Sequence, residues 1–206
     1  MSLCIEPTQF VQEEQKKSAE YLYDAMFPDK VELYGEPWDI LSRHIGKVEP
    51  GGVYNFWTLG RYAMADIICH LLRQTGPADV AATTWSINTD SVKKMIARKR
   101  DGLLKSFKMW IDPRISRCSP EPMQLLRENF EVLVAPVHAK IACIGNENWK
   151  ISVSGSTNFT SSPQPERGVI QVIDHIYDID LKIILAEFEK GDRLNYREVK
   201  QHESNE

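Results

Sequence analysis

From residue 53 to about residue 190 the sequence alternates short apolar, β-rich runs with helix-like patterns. A short run of such residues bounded by turn-forming residues is typical of a buried strand. Seven runs fit this description: VYNFWT (53–58), ADVAATTW (78–85), LLKSFKMWI (103–111), FEVLVA (130–135), HAKIACI (138–144), WKISVSG (149–155) and GVIQVID (168–174). This order excludes an all-helical fold.

Amphipathic helices are predicted between these strands. Ala63, Ile67 and Leu71 form one i, i+4 row, and a second helix is capped by Asn88 or Thr89. PEPMQLLREN (120–129) and residues from about 176 to 189 complete the set. Strands that alternate with helices at short spacing predict an α/β sandwich with a mixed, mostly parallel sheet of about seven strands. The polar turn GNEN (145–148) modifies that sheet with one antiparallel hairpin.

The two ends of the chain differ from this regular region. Residues 1–50 contain a predicted helix, FVQEEQKKSAEYLYDAMF (10–27), and then a segment with Pro and Gly punctuation. We interpret residues 1–50 as a helical arm or cap, 51–190 as the main domain and 191–206 as a polar tail.

Composition limits the classes of protein that the chain can belong to. With 206 residues, a formal net charge of −4 and a pI of about 5.8, it is not a strongly basic nucleic-acid binder, although a local basic patch stays possible. No apolar run reaches the roughly 18 residues that span a bilayer, and the N-terminus lacks a signal-peptide core. We therefore expect a soluble, cytoplasmic protein without a membrane partner. The scattered Cys4, Cys69, Cys118 and Cys143 are then reduced thiols.

One stretch, VHAKIACIGNENWKISVSGSTNFT (137–160), concentrates residues suited to phosphate chemistry. Alternate residues of a strand share a face, so His138 and Lys140 point the same way. If the following strand returns antiparallel, Ser156 and Asn158 lie beside them. Lys140 then supplies positive charge, and the two neutral side chains supply hydrogen-bond donors for the non-bridging oxygens of a phosphate.

A nucleophile and its partner complete this group. The imidazole of His138 is nucleophilic at neutral pH when a partner holds its tautomer. Glu166, eight residues beyond Asn158, is the best candidate for that partner.

His-x-Lys, a hairpin, Gly-Ser-x-Asn and a following Glu resemble the half-motif of the phospholipase D superfamily, most closely over 137–173 and loosely over 53–190. The resemblance implies an α/β/α sandwich and a nucleophilic His138 that forms a phosphohistidine. Lys140 and Asn158 would bind phosphate with the help of Ser156, and Glu166 would orient His138. It implies no metal and no other cofactor, and the sequence shows no spacing of His, Cys and Asp that suggests a zinc site.

Two features depart from the family pattern. The family places an Asp five residues after the lysine, where this chain has Gly145, although Asn146 and Glu147 lie nearby in the turn. The interval from Lys140 to Gly155 is also about three residues longer than the pattern. These departures favour a rival hypothesis, namely a non-catalytic nucleic-acid-binding or assembly module that kept the fold and lost turnover.

The leading hypothesis is a metal-independent phosphodiesterase that acts on DNA or RNA. Lipid-hydrolysing members of the superfamily carry two motifs, whereas this chain has one motif and no internal repeat. In-line displacement at phosphorus needs a proton donor opposite the nucleophile, and one histidine does not fill both positions at once. We therefore expect a homodimer with a shared active site.

Other candidate residues have a structural interpretation as well as a functional one. The cations of KKMIARKRDGLLKSFK (93–108) form either the solvated face of a helix or a track for a nucleic-acid backbone; the candidates are Lys93, Lys94, Arg98, Lys99 and Arg100. Trp57, Trp85 and Trp110 are interpreted as core residues and not as base-stacking platforms, and His70 is interpreted as a solvent-side residue. A thiol hydrolase pair of Cys118 with His138 lacks an activating context.

Overall fold

The computed structural model describes residues 37–115 and 119–203, and seven strands within these residues form one sheet. The strands are β1 (Val53–Trp57), β2 (Ala78–Thr84), β3 (Leu104–Ile111), β4 (Glu131–Val134), β5 (Ile141–Gly145), β6 (Lys150–Gly155) and β7 (Arg167–Gln171). The helices are α1 (Pro37–His44), α2 (Met64–Thr75), α3 (Thr89–Arg100), α4 (Pro120–Asn129) and α5 (Asp174–Glu203).

The sheet is mixed, with the strand order β1-β7-β6-β5-β2-β3-β4. Only the pairs β2–β3 and β3–β4 are parallel, while β1–β7, β6–β7, β5–β6 and β2–β5 are antiparallel. The mixed α/β sheet of seven strands is confirmed, but the expectation that it is mostly parallel is wrong. Helical crossovers join β2, β3 and β4 and make them parallel, whereas the three strands after them return through turns and loops.

Apolar side chains cover both faces of the sheet. On one face, Phe56, Val80 and Ile144 belong to the large core that also contains buried residues of α1, α2, α3 and α4. On the other face, Ala81 and Cys143 pack with the α5 side chains listed here: Tyr177, Ile184 and Phe188. The alternation of adjacent residues such as Val80 and Ala81 between these cores follows the two-residue period of a strand.

Helix α2 lies at the centre of the larger core. The predicted apolar row is confirmed, since Ile67 and Leu71 are fully buried. The interpretation of His70 as a solvent-side residue is wrong: only 6% of it is exposed, and its Nε2 lies 3.1 Å from the carbonyl of Gly46 and 2.8 Å from Nε2 of Gln74. Burial lowers the pKa of His70. The loop after α1 buries it, a contact that helix periodicity does not reveal.

The described residues near the two ends of the chain pack against the rest of the domain. In the predicted arm, Leu41 and Val48 are fully buried in the core, while residues 1–36, including the predicted helix 10–27, lie outside the described residues. Helix α5 continues to Glu203, so the predicted end of the last helix near residue 189 is wrong. The division into arm, domain and tail stays a prediction. Among the described residues, no helix is long and apolar enough to cross a bilayer.

Phe159 connects the loop after β6 to the core and provides a test of the fold. It is fully buried, its ring centroid is 6.3 Å from that of Phe107, and its N–H donates to the carbonyl of Ser86 at 3.1 Å. Phe159→Ala should lower the free energy of unfolding by about 3–5 kcal/mol because it leaves a cavity. Urea denaturation measures this loss.

The matched control is Val53→Ala, at a side chain that is 52% exposed on β1. Its effect should stay within about 0.5 kcal/mol. Equal losses for the two variants would contradict the placement of Phe159 in the core.

Candidate functional site

The β5–β6 hairpin brings the two halves of the motif together. The strands pair antiparallel with Ile141 opposite Ser154, and beyond this pair the N–H of Gly155 donates to the carbonyl of Lys140 at 3.3 Å. The return of the chain is therefore as predicted. Strand β5 begins at Ile141, however, so His138 and Lys140 lie in the segment that leads into the strand and not within it.

His138 and Lys140 are in direct contact. The imidazole is exposed, whereas Lys140 is only 8% exposed. The Lys140 ammonium lies 3.4 Å from Nε2 of His138 and donates to the carbonyl of the same residue at 2.6 Å. Burial lowers the pKa of Lys140, the carboxylate of Glu166 raises it, and Arg114 lowers it. A buried positive charge thus lies directly beside a solvent-accessible imidazole.

Glu166 contributes to the site through charge. Its N–H donates to Oγ1 of Thr58 at 3.2 Å and its carbonyl accepts from the N–H of Thr58 at 2.8 Å, which ties the loop before β7 to the end of β1. Burial raises the pKa of Glu166 to about 7, and the charge of Lys140 lowers it. Within the described residues no hydrogen bond joins Glu166 to His138. The role of Glu166 in orienting the histidine stays a prediction.

Asn158 is held by the end of β2. Its Oδ1 accepts from the backbone N–H of Trp85 and from Oγ1 of Thr84, both at 3.3 Å. Because these donors hold the carbonyl side of the amide, Nδ2 is the atom that is left to donate.

Ser156 is exposed and lies farther along the same loop. Its hydroxyl donates to the carbonyl of Arg167 at 3.3 Å and accepts from the N–H of the same residue at 3.1 Å. It therefore connects the ends of β6 and β7, and its predicted contact with phosphate stays a prediction.

Sequence reasoning missed Arg114 and assigned Trp85 to the core. Trp85 follows β2, is half-buried, and its ring centroid is 5.8 Å from that of His138. The interpretation of Trp85 as a core residue is therefore wrong. Arg114 follows β3, and its guanidinium lies over the Trp85 ring at 4.7 Å from the centroid. The carboxyl ends of parallel β2 and β3 meet at one edge of the sheet, a usual place for ligands, and this was the available signal.

The other two tryptophans of the strand-like runs have different surroundings. Trp110 is half-buried in β3, and its indole N–H donates to the carbonyl of Ala135 at 3.1 Å. Trp57 is 39% exposed at the end of the edge strand β1, so its interpretation as a core residue is also wrong.

The packing of helix α5 against the sheet explains why position 145 is a glycine. A Cβ at this position would overlap the hydroxyl and ring of Tyr177 from α5. Burial raises the pKa of Tyr177 to about 12. The place at which the family motif carries an Asp is therefore closed by an aromatic side chain, while Asn146 in the turn accepts from the N–H groups of Asn148 and Trp149.

The five candidate cations of the basic stretch lie on α3, and other groups of the protein pair with three of them. Lys94 forms ion pairs with Asp66 and Asp90, both at 2.9 Å, and Arg98 pairs with Asp101 at 2.8 Å. The ammonium of Lys99 donates to the carbonyl of Asn129 at 2.7 Å, and the remaining two candidates, Lys93 and Arg100, are exposed. A role of these five residues in nucleic-acid binding stays a prediction.

Neither described cysteine shows the features of a reactive thiol. Burial raises the pKa of Cys69 to about 11 and that of Cys143 to about 12, and both are free. Cys4 and Cys118 lie outside the described residues. The expectation that Cys118 and His138 do not form a thiol hydrolase pair therefore stays a prediction. Within those residues, no three His, Cys, Asp or Glu side chains are grouped so that they could hold a metal ion.

Comparison with known proteins finds similarity at the level of structure. No family model matches the sequence, and no curated protein sequence matches it. Polyphosphate kinase from Porphyromonas gingivalis superposes with a TM-score of 0.50 at 15% identity, over 66% of this chain and 26% of the kinase. NucT from Helicobacter pylori superposes with a TM-score of 0.50 at 13% identity, over 67% of this chain and 97% of NucT.

These similarities concern the fold. The chain spans about a quarter of the kinase and nearly all of NucT. The mixed seven-stranded sheet with flanking helices is the phospholipase D-like α/β fold that the sequence predicts.

The raised pKa of Glu166 predicts a pH effect on stability. Between its ordinary value of 4.5 and about 7, the folded protein holds a proton that the unfolded chain has released. The free energy of unfolding should therefore fall as the pH rises through this window and level off above it. Glu166→Gln should remove this fall, which urea denaturation at several pH values measures.

The control is Glu147→Gln, at an exposed residue of the hairpin turn. It should keep the pH dependence of the wild type. The same pH dependence in wild type and Glu166→Gln would show that Glu166 is not held in a desolvated place.

The contact between Gly145 and Tyr177 predicts a non-additive pair of substitutions. Gly145 does not have a positive φ, so the Tyr177 ring is what opposes a side chain there. Gly145→Ala should cost about 1–3 kcal/mol of unfolding free energy in the wild type. It should cost clearly less in a Tyr177→Ala background, and a double-mutant cycle gives the coupling. An additive cycle would contradict the contact.

Proposed function

We propose that the protein is a metal-independent phosphodiesterase in which His138 is the nucleophile. The observation that supports this most directly is the exposed imidazole of His138 at 3.4 Å from the buried ammonium of Lys140. The phospholipase D-like fold and its structural neighbours support chemistry of the phosphodiesterase or phosphotransferase kind. A cytoplasmic location belongs to the same proposal.

The proposed reaction has two displacements at phosphorus. In the first, a ring nitrogen of His138 forms a P–N bond while the P–O bond to the leaving group breaks, which gives a phosphohistidine. In the second, water attacks this intermediate and the P–N bond breaks, which returns free histidine. Lys140 balances the charge on the non-bridging oxygens in both steps, and Nδ2 of Asn158 donates a hydrogen bond to them.

The leaving oxygen needs a proton, and we assign this role to a second copy of His138. Two chains related by a two-fold axis would place one imidazole on each side of the phosphorus, one as nucleophile and the other as general acid. In the second displacement the acid, now deprotonated, takes the proton of the attacking water. Each histidine would be oriented by Glu166 of its own chain.

We further propose that the substrate is DNA or RNA. A single motif in a chain that spans nearly all of NucT is consistent with a small phosphodiesterase, and the exposed Lys93 and Arg100 on α3 add local positive charge. Phosphate contacts of this kind make binding depend on salt.

A second candidate is a catalytically inactive nucleic-acid-binding or assembly module of the same fold. Two observations favour it: Tyr177 closes the position of the motif Asp at Gly145, and no described hydrogen bond holds Glu166 on His138. Catalysis by a nucleophile that is not oriented would be slow. An activity assay separates the two candidates.

The first prediction of this proposal concerns His138. His138→Ala should lower the hydrolysis of bis(p-nitrophenyl) phosphate and of plasmid DNA at least about 10⁴-fold. Lys140→Ala and Asn158→Ala should lower it by about 10²–10³. Because a histidine and a lysine supply the nucleophile and the charge, the wild-type activity should persist in EDTA.

The matched control is His175→Ala, which replaces an exposed histidine in the first turn of α5. It should keep the wild-type rate. Activity that survives in His138→Ala, or that requires added divalent ions, would refute this mechanism. A folded wild type without turnover would favour the inactive module.

A second prediction concerns the shared site. Co-expression of wild-type and His138→Ala chains should lower the activity more than dilution alone, because each mixed dimer lacks either the nucleophile or the acid. Sedimentation shows whether the active species is a dimer. Turnover by a monomer, or mixed dimers with half the wild-type rate, would contradict the shared site.

A further inference from the structure

Arg114 and Trp85 form a cation–π pair beside His138 that the proposed reaction does not use. The Arg114 guanidinium carbon lies 4.7 Å from the centroid of the indole ring. The same ring lies 5.8 Å from the imidazole of His138 and 5.9 Å from the ammonium of Lys140. The pair is therefore within one nucleotide unit of the position at which a phosphate would meet His138.

Asp112 fixes the guanidinium in this place. Its Oδ1 accepts from Nε of Arg114 at 2.7 Å, and its Oδ2 accepts from Nη2 at 3.2 Å. The carboxylate is only 4% exposed and also accepts from the backbone N–H of Arg114 at 3.0 Å. The hydrogen bond from the Arg114 side chain lowers the pKa of Asp112. A two-pronged contact to a buried carboxylate holds the guanidinium plane in one orientation.

The arrangement leaves one face of Arg114 open. The Trp85 ring lies on one side of the guanidinium, and the Asp112 carboxylate accepts from Nε and Nη2 and balances the charge. The side chain is still 62% exposed, so its outer face meets solvent. A cation that is already neutralised is poorly suited to compensating a phosphate, whereas a rigid, exposed guanidinium plane on an aromatic ring is suited to stacking.

We propose that the Arg114–Trp85 pair is a platform on which a base of single-stranded nucleic acid stacks, next to the phosphate at His138. The base must leave its own stack to lie on the platform, which a single strand permits at low cost and a duplex does not. This inference rests on the proposed function, and it narrows the substrate from nucleic acid in general to single strands.

Binding tests the platform without cleavage. In a His138→Ala background, fluorescence anisotropy gives the affinity for a single-stranded oligonucleotide, for its duplex and for a single strand in which abasic sites replace every base. The background should bind the single strand more tightly than the other two. Arg114→Ala should weaken single-strand binding by about 5- to 150-fold, the range for loss of one stacked base. Arg114→Lys should weaken it similarly, because lysine keeps the charge and lacks the plane.

Two further measurements separate stacking from a phosphate contact. The abasic strand should bind to the Arg114→Ala variant and to its parent with equal affinity. The slope of log affinity against log salt should be the same for Arg114→Ala and its parent, whereas loss of one phosphate contact on a single strand would reduce it by about 0.7. Arg127→Ala, at an exposed arginine of α4, is the matched control and should leave all affinities unchanged.

Each opposite result overturns the platform. Such results are full affinity in Arg114→Lys, a reduced salt slope in Arg114→Ala, equal binding of duplex and single strand, or no binding of the oligonucleotide. Failure of the proposed function looks different, since Arg114-dependent binding would persist while wild type lacks His138-dependent hydrolysis. Hydrolysis that depends on His138 together with unchanged affinity in Arg114→Ala would refute the platform alone.

Discussion

The antiparallel pairing of β5 with both β2 and β6 is the constraint on which the candidate site depends. Thr83 lies opposite Ile141, and Ile141 lies opposite Ser154, so the end of β2, the start of β5 and the end of β6 lie at one edge of the sheet. Hydrogen bonds then join the loops beyond these strands, such as the one from the N–H of Trp85 to Oδ1 of Asn158. A one-residue shift in either register would turn the side chains of β5 to the opposite faces of the sheet and displace Lys140, which leads into that strand.

Two partly buried charges are balanced at this edge. Lys140 loses most of its water, the carbonyl of His138 and the face of Trp85 lie against its ammonium, and the charge of Glu166 raises its pKa. Asp112 is buried as well and is balanced by Arg114. Such pairs are costly to separate, so the surroundings of His138 are preorganised before a ligand arrives. A preorganised group of this kind suits both the proposed reaction and the proposed stacking platform.

The opposite face of the sheet limits which residue the far end of β5 can carry. Helix α5 packs there through Tyr177 and Phe188, and the Tyr177 ring occupies the space above Gly145. Packing of this face therefore excludes the Asp that the family motif would place at the end of β5. Near the start of β5, the charge of Glu166 in the loop before β7 raises the pKa of Lys140.

The sequence by itself determined the seven strands, most helix positions and the antiparallel return of β6 that sets Gly155 against Lys140, because these follow from local periodicity and one short hairpin. Only the tertiary structure decided the mostly antiparallel sheet, the burial of His70 and the placement of Trp85 and Arg114 beside His138. These depend on which distant segments pair. Residues 85, 114 and 138 are far apart in the chain, and no local pattern specifies that the ends of β2 and β3 converge with the start of β5.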